Sequence, residues 1–65
     1  MDWKAKFLKT YANLPYSARE EIIAVIENEP FTWNSARLEI EQDTPKGKQI
    51  LDSMVTLHIL KDNGQ

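Results

Sequence analysis

Three prolines, Pro15, Pro30 and Pro45, cut this 65-residue chain into four short segments. The residue before a proline is biased away from the helical region. Leu14, Glu29 and Thr44 therefore each mark an expected boundary. A chain of this length makes one domain, and it buries only about 60% of the surface its unfolded form exposes. There is no cysteine. A disulfide framework, a thiolate nucleophile and a cysteine-based zinc site are thereby excluded, and a cytoplasmic location is the default expectation. The longest apolar run, Ile22-Ile23-Ala24-Val25-Ile26, is far short of the roughly 20 residues that span a bilayer. Residues 1–60 are expected to form a single small helical domain. The terminal Lys61-Asp62-Asn63-Gly64-Gln65 has no apolar residue to dock and is expected to be a disordered tail.

Each segment carries a helical signal. Trp3, Phe7, Tyr11 and Leu14 are spaced as one stripe of a helix, widened by Leu8. In the second segment Ser17 and Glu20 have the spacing of a capping box for a helix from Ala18 to Asn28 or Glu29, its core face Ile22, Ile23 and Ile26. In the third, Thr32 or Asn34 is a candidate cap for a helix over residues 33–42, with Trp33, Ala36 and Ile40 on one face. Arg37 to Glu41 also alternates with period two, a strand signal. Helix is favoured there because Ala, Arg, Leu and Glu are good helix formers. In the fourth, Thr44 caps and Pro45 stands at the first helical position, where its missing N–H is no loss. Ile50, Leu51, Met54 and Leu57 form its stripe, and the β-branched residues near the end suggest an extended stub at 57–60. The expected fold is all-α, a compact orthogonal bundle of about four short helices.

No constellation for catalysis is visible, and the chain is read as a non-enzyme. Its single histidine, His58, lies in an apolar run and reads as a packed or rim side chain. Ser17, Ser35 and Ser53 are explained by capping or by exposed helix faces. Lys46-Gly47-Lys48 lacks the spaced glycines of a phosphate loop. Glu20, Glu21, Glu27, Glu29, Glu39, Glu41 and Asp43 show no calcium-loop spacing and read as solvated faces. No cofactor, metal or small-molecule substrate is expected.

The formal net charge of -2 hides an uneven distribution. Residues 1–13 carry +2, residues 14–30 carry -3, residues 31–43 carry -2 and residues 44–65 carry +1. The basic, aromatic first helix suits a membrane surface or a partner's groove. Packing of its Trp3-Phe7-Tyr11 stripe on the domain's own core is the simpler expectation, so a membrane role is not favoured.

Over residues 17–60 the order of segments resembles the helix-turn-helix and winged-helix class, with Ser17 to Ile26, then Pro30-Phe31-Thr32-Trp33, then Thr44-Pro45 opening the last helix. The wing is missing. The resemblance implies that the helix 45–57 is a recognition helix for DNA. Lys46, Lys48, Gln49, Ser53 and Thr56 would be its nucleic-acid-binding residues, with Asp52 on the same face. The acidic Glu39, Glu41 and Asp43 nearby oppose phosphate contact.

The leading expectation is a small protein-interaction or regulatory module that binds another protein or its own copy. DNA binding by a transcriptional regulator is the alternative. Surplus aromatic area is the argument for a protein partner, with Tyr16, Phe31 and Trp33 the candidate partner-binding residues.

Overall fold

The structure, a computed structural model, describes residues 2–60. It overturns the all-α expectation. Helix α1 (Trp3–Ala12) leads through a 3-10 helix (Tyr16–Glu20) into an antiparallel hairpin of β1 (Ile22–Ile26) and β2 (Glu29–Thr32). Helices α2 (Trp33–Glu41) and α3 (Pro45–Thr56) follow. The expected tail at 61–65 lies outside the described residues.

The second expected helix is the main correction. Ser17 sits inside the 3-10 helix and makes no capping bond. Glu20 instead accepts a hydrogen bond from Asn34 Nδ2 at 2.7 Å. Beyond it, four of the five residues Ile22-Ile23-Ala24-Val25-Ile26 are β-branched, which suits a pleated, half-buried surface. Glu27 and Asn28 both take positive φ, 52° and 68°. That is the twist of a two-residue hairpin turn matched to right-handed strands. Ile26 then faces Glu29, Val25 faces Pro30 and Ala24 faces Phe31. In such a hairpin the pair next to the turn exchanges both hydrogen bonds and the following pair exchanges none. Pro30, which has no N–H, occupies the non-bonded position, so the proline is accommodated rather than disruptive.

Helices α1, α2 and α3 lie where their signals put them, because each has a working cap. Asp2 accepts from Ala5 N at 3.1 Å. Thr32 caps α2 in a true capping box: Ser35 N donates to Thr32 Oγ1 at 3.1 Å and Thr32 N donates to Ser35 Oγ at 2.9 Å. Thr44 Oγ1 accepts from Gly47 N at 3.0 Å. Trp33, Ala36 and Ile40 are all buried, so residues 33–41 follow the helical period.

The core is Phe7 from α1, Ala24 and Phe31 from the hairpin, Trp33, Ala36 and Ile40 from α2, and Ile50 and Met54 from α3. Leu60 completes it. The expected extended stub at 57–60 is absent, and Leu57 is exposed rather than part of the stripe. The chain instead reverses at His58, whose φ is 62°. Ile59 N donates to Met54 O at 2.8 Å and His58 N to Val55 O at 3.1 Å. These bonds satisfy carbonyls that a helix end leaves unpaired, and the reversal returns Leu60 to the core. His58 is an exposed residue in a conformation that favours glycine. His58→Gly is therefore expected to raise stability by about 1 kcal/mol, read as a higher urea midpoint with an unchanged slope.

Candidate functional site

The expected site residues are scattered over the molecule. Phe31 and Trp33 are buried in the core, so they offer no surface to a partner. Their aromatic area is used internally: the Phe7 ring lies 5.3 Å from that of Trp33 and 6.4 Å from that of Tyr11. Trp3 and Tyr11 also pack against the core, so the α1 stripe faces inward. Tyr16 is the exception, at 82% exposure.

Tyr16 belongs to a layered arrangement of rings and guanidinium groups. The Arg19 guanidinium lies 4.8 Å from the Tyr16 ring centre and 4.2 Å from that of Tyr11. Arg37 lies 5.2 Å from the same Tyr11 ring. The Tyr11 hydroxyl donates to Asn34 Oδ1 at 2.5 Å, and Arg37 bonds Glu41 at 2.9 Å. Cation–ring stacking of this kind fixes the 3-10 helix against α1 and α2. Both arginine Nε atoms are buried there without a hydrogen-bond partner among the described residues.

The five nucleic-acid candidates lie on α3. Lys48, Gln49 and Thr56 are exposed, and Ser53 and Lys46 are half-buried. Lys46 forms an ion pair with Glu29 of β2 and lies 5.9 Å from the Phe31 ring centre. Its hydrogen bond to the Glu29 carboxylate holds the ammonium above its ordinary pKa. Lys4 is similarly engaged by Asp43, at 3.1 Å. The basic residues at the two ends of the chain are thus partly neutralised by the acidic middle. Asp52 stands exposed on the same helix.

The feature that sequence reasoning missed is the outer face of the hairpin. Ile22 and Val25 are 61% and 63% exposed. A bulge between Ile22 and Ala24 shifts the register, so Ile22 turns to solvent along with Val25 while Ala24 faces the core. Exposed Pro30 stands opposite Val25. On the expected helix Ile22 belongs to the core face. The signal available was the β-branched run ending in Glu27-Asn28, a pair able to turn.

Comparison with models of protein families, with curated proteins and with solved structures finds no match to this chain. Among the described residues, no helix is long and apolar enough to cross a membrane, and no group of three metal-ligating side chains comes together.

Proposed function

We propose that this protein is a non-enzymatic protein-interaction module of the cytoplasm whose contact surface is the outer face of the hairpin. The observation that carries this reading is the exposure of Ile22 and Val25 on the outer face of one short strand. Full burial of such a side chain contributes about 1.5–3 kcal/mol, and these two, each more than half exposed, forgo over half of it. A partner covering both recovers part of it. Tyr16, at the start of the 3-10 helix that leads into β1, adds an amphipathic ring of the kind enriched at interfaces.

DNA binding by α3 is the second reading. It is supported by the helix–turn–helix succession of α2, Gln42-Asp43-Thr44 and α3. Lys48, Gln49 and Thr56 are the exposed side chains it would use. The charge argues the other way, because phosphate binding rests on cations and Lys46 is already paired with Glu29.

The test is affinity purification from host extract with the wild type and with an Ile22→Ser/Val25→Ser variant, followed by re-binding of the recovered protein in purified form. A partner retained by the wild type and lost by a folded variant is the expected result. A partner set unchanged by the double substitution, or duplex DNA binding that weakens steeply with salt, overturns it.

A further inference from the structure

We infer that the 3-10 helix (Tyr16–Glu20) is a latched strap that opens independently of the rest of the domain. Arg19 and Glu20 hold it shut over Tyr11 of α1 and Asn34 of α2. The latch is independent of whatever binds the outer face of the hairpin.

The strap joins α1 to β1 and contributes no buried residue. Tyr16, Ser17 and Glu20 are exposed, and Ala18 and Arg19 are half-buried. The core lies on either side of it in the chain, at Phe7 before it and from Ala24 onward after it. Leu14, just ahead of the strap, also packs against the core. The segment can therefore leave the surface without opening the core. Its own backbone bonds are local: Ala18 N donates to Pro15 O at 3.0 Å and Glu21 N to Ala18 O at 3.1 Å. Bonds of a 3-10 turn have poorer geometry than those of an α-helix. No backbone group of residues 16–20 bonds another helix or strand among the described residues. Pro15 and Glu21, at the two ends, are both extended. A segment with little buried apolar area and exposed backbone bonds sits at the low end of a domain's opening free energies.

Two side chains supply the tertiary hold. The Arg19 guanidinium lies 4.2 Å from the centre of the Tyr11 ring, and its Nη2 donates to Ala12 O at 3.4 Å. Glu20 accepts from Asn34 Nδ2 at 2.7 Å. Asn34 is tied in turn to Tyr11, whose hydroxyl donates to Asn34 Oδ1. Both pins thus end on one Tyr11–Asn34 pair that bridges α1 and α2. The hold is also incomplete. Burial leaves Arg19 Nε without a hydrogen-bond partner among the described residues. A buried unpaired donor costs free energy that water returns on opening. The residue that pins the strap therefore also lowers the cost of releasing it. Release uncovers a face of the Tyr11 ring and the Asn34 amide, and it carries Tyr16 along.

The test is native-state hydrogen exchange of the isotope-labelled full chain, followed by NMR at rising sub-denaturing urea. The amides of Ala18 and Glu21 are expected to exchange about a hundredfold faster than those of Ile40 and Met54, at rates that urea does not raise. The core amides should accelerate with urea, because their exchange needs global unfolding. Arg19→Gln on the strap and Asn34→Ala on α2 should each speed exchange of both strap amides about fivefold. Ile50→Val should speed the core amides about fivefold and leave the strap amides unchanged. Strap amides that share the core's rate and urea dependence, that follow Ile50→Val, or that ignore either Arg19→Gln or Asn34→Ala overturn the inference.

Discussion

Phe7→Ala is expected to remove a large share of the domain's stability. Phe7 is fully buried and is the residue through which α1 reaches the core, with the Tyr11 ring stacked on it and the Trp33 ring tilted against it. Removing a buried phenylalanine ring costs about 3–5 kcal/mol, through lost transfer energy and the cavity left behind. A domain of this size has a total stability on the order of 3–10 kcal/mol. The loss is therefore comparable with the whole. The cavity would not close easily, because its walls are a tryptophan on α2 and a helix whose other core residues are only half-buried. Urea titration followed by the fluorescence of Trp3 and Trp33 and by far-ultraviolet circular dichroism is the measurement. A loss below about 1.5 kcal/mol would mean that α1 does not dock through Phe7.

Gly47→Ala is expected to destabilise by about 2–3 kcal/mol, opposite in sign to the usual effect of this change within a helix. Gly47 is buried in the first turn of α3, where that helix crosses α2. A Cβ added there would come within 2.5 Å of the Glu39 carbonyl oxygen and 2.8 Å of its carbon. Both are backbone atoms, so no side-chain rotation relieves the clash. The crossing is also held from a second side. Thr44 Oγ1 donates to Glu39 Oε1 at 2.6 Å while accepting from Gly47 N. Asp43, at φ 56°, closes the three-residue turn between the helices. The helices must separate to admit a methyl group, and separation opens the contact of Ile40 with Ile50 and Met54 in the core. A lowered denaturation midpoint is the expected result. A raised one would mean that helix propensity outweighs the crossing and that the helices are further apart.

Three helices were legible in the sequence because their signals are local. Thr44-Pro45 specifies a helix start through one hydroxyl and one missing N–H. The Trp33, Ala36, Ile40 spacing specifies a buried face. The hairpin was not legible by the same reasoning. In a run as short as Ile22 to Ile26, apolar residues satisfy the helical and the strand period at once. The Ser17–Glu20 spacing imitates a capping box, although Glu20 bonds Asn34 instead. The β-branched content of Ile22 to Ile26 is the better indicator of a strand. The candidate site followed the same error. Read as helix, Ile22 belonged inside; read as a bulged strand, it belongs outside.

By itself, then, the sequence determined the absence of cysteine chemistry, the places of three helices, the Thr44-Pro45 start of the last of them, and an acidic middle between basic ends. Those properties depend on composition or on groups a few residues apart. Tertiary structure decided the rest: that residues 22–32 pair as strands, that Phe31 and Trp33 are core, that Leu60 folds back to seal it, and that Ile22 and Val25 face water. Each of those depends on which surfaces meet. Ala24 and Phe31 can cover the α2–α3 core only if their strands pair, and that pairing sends the alternate side chains outward.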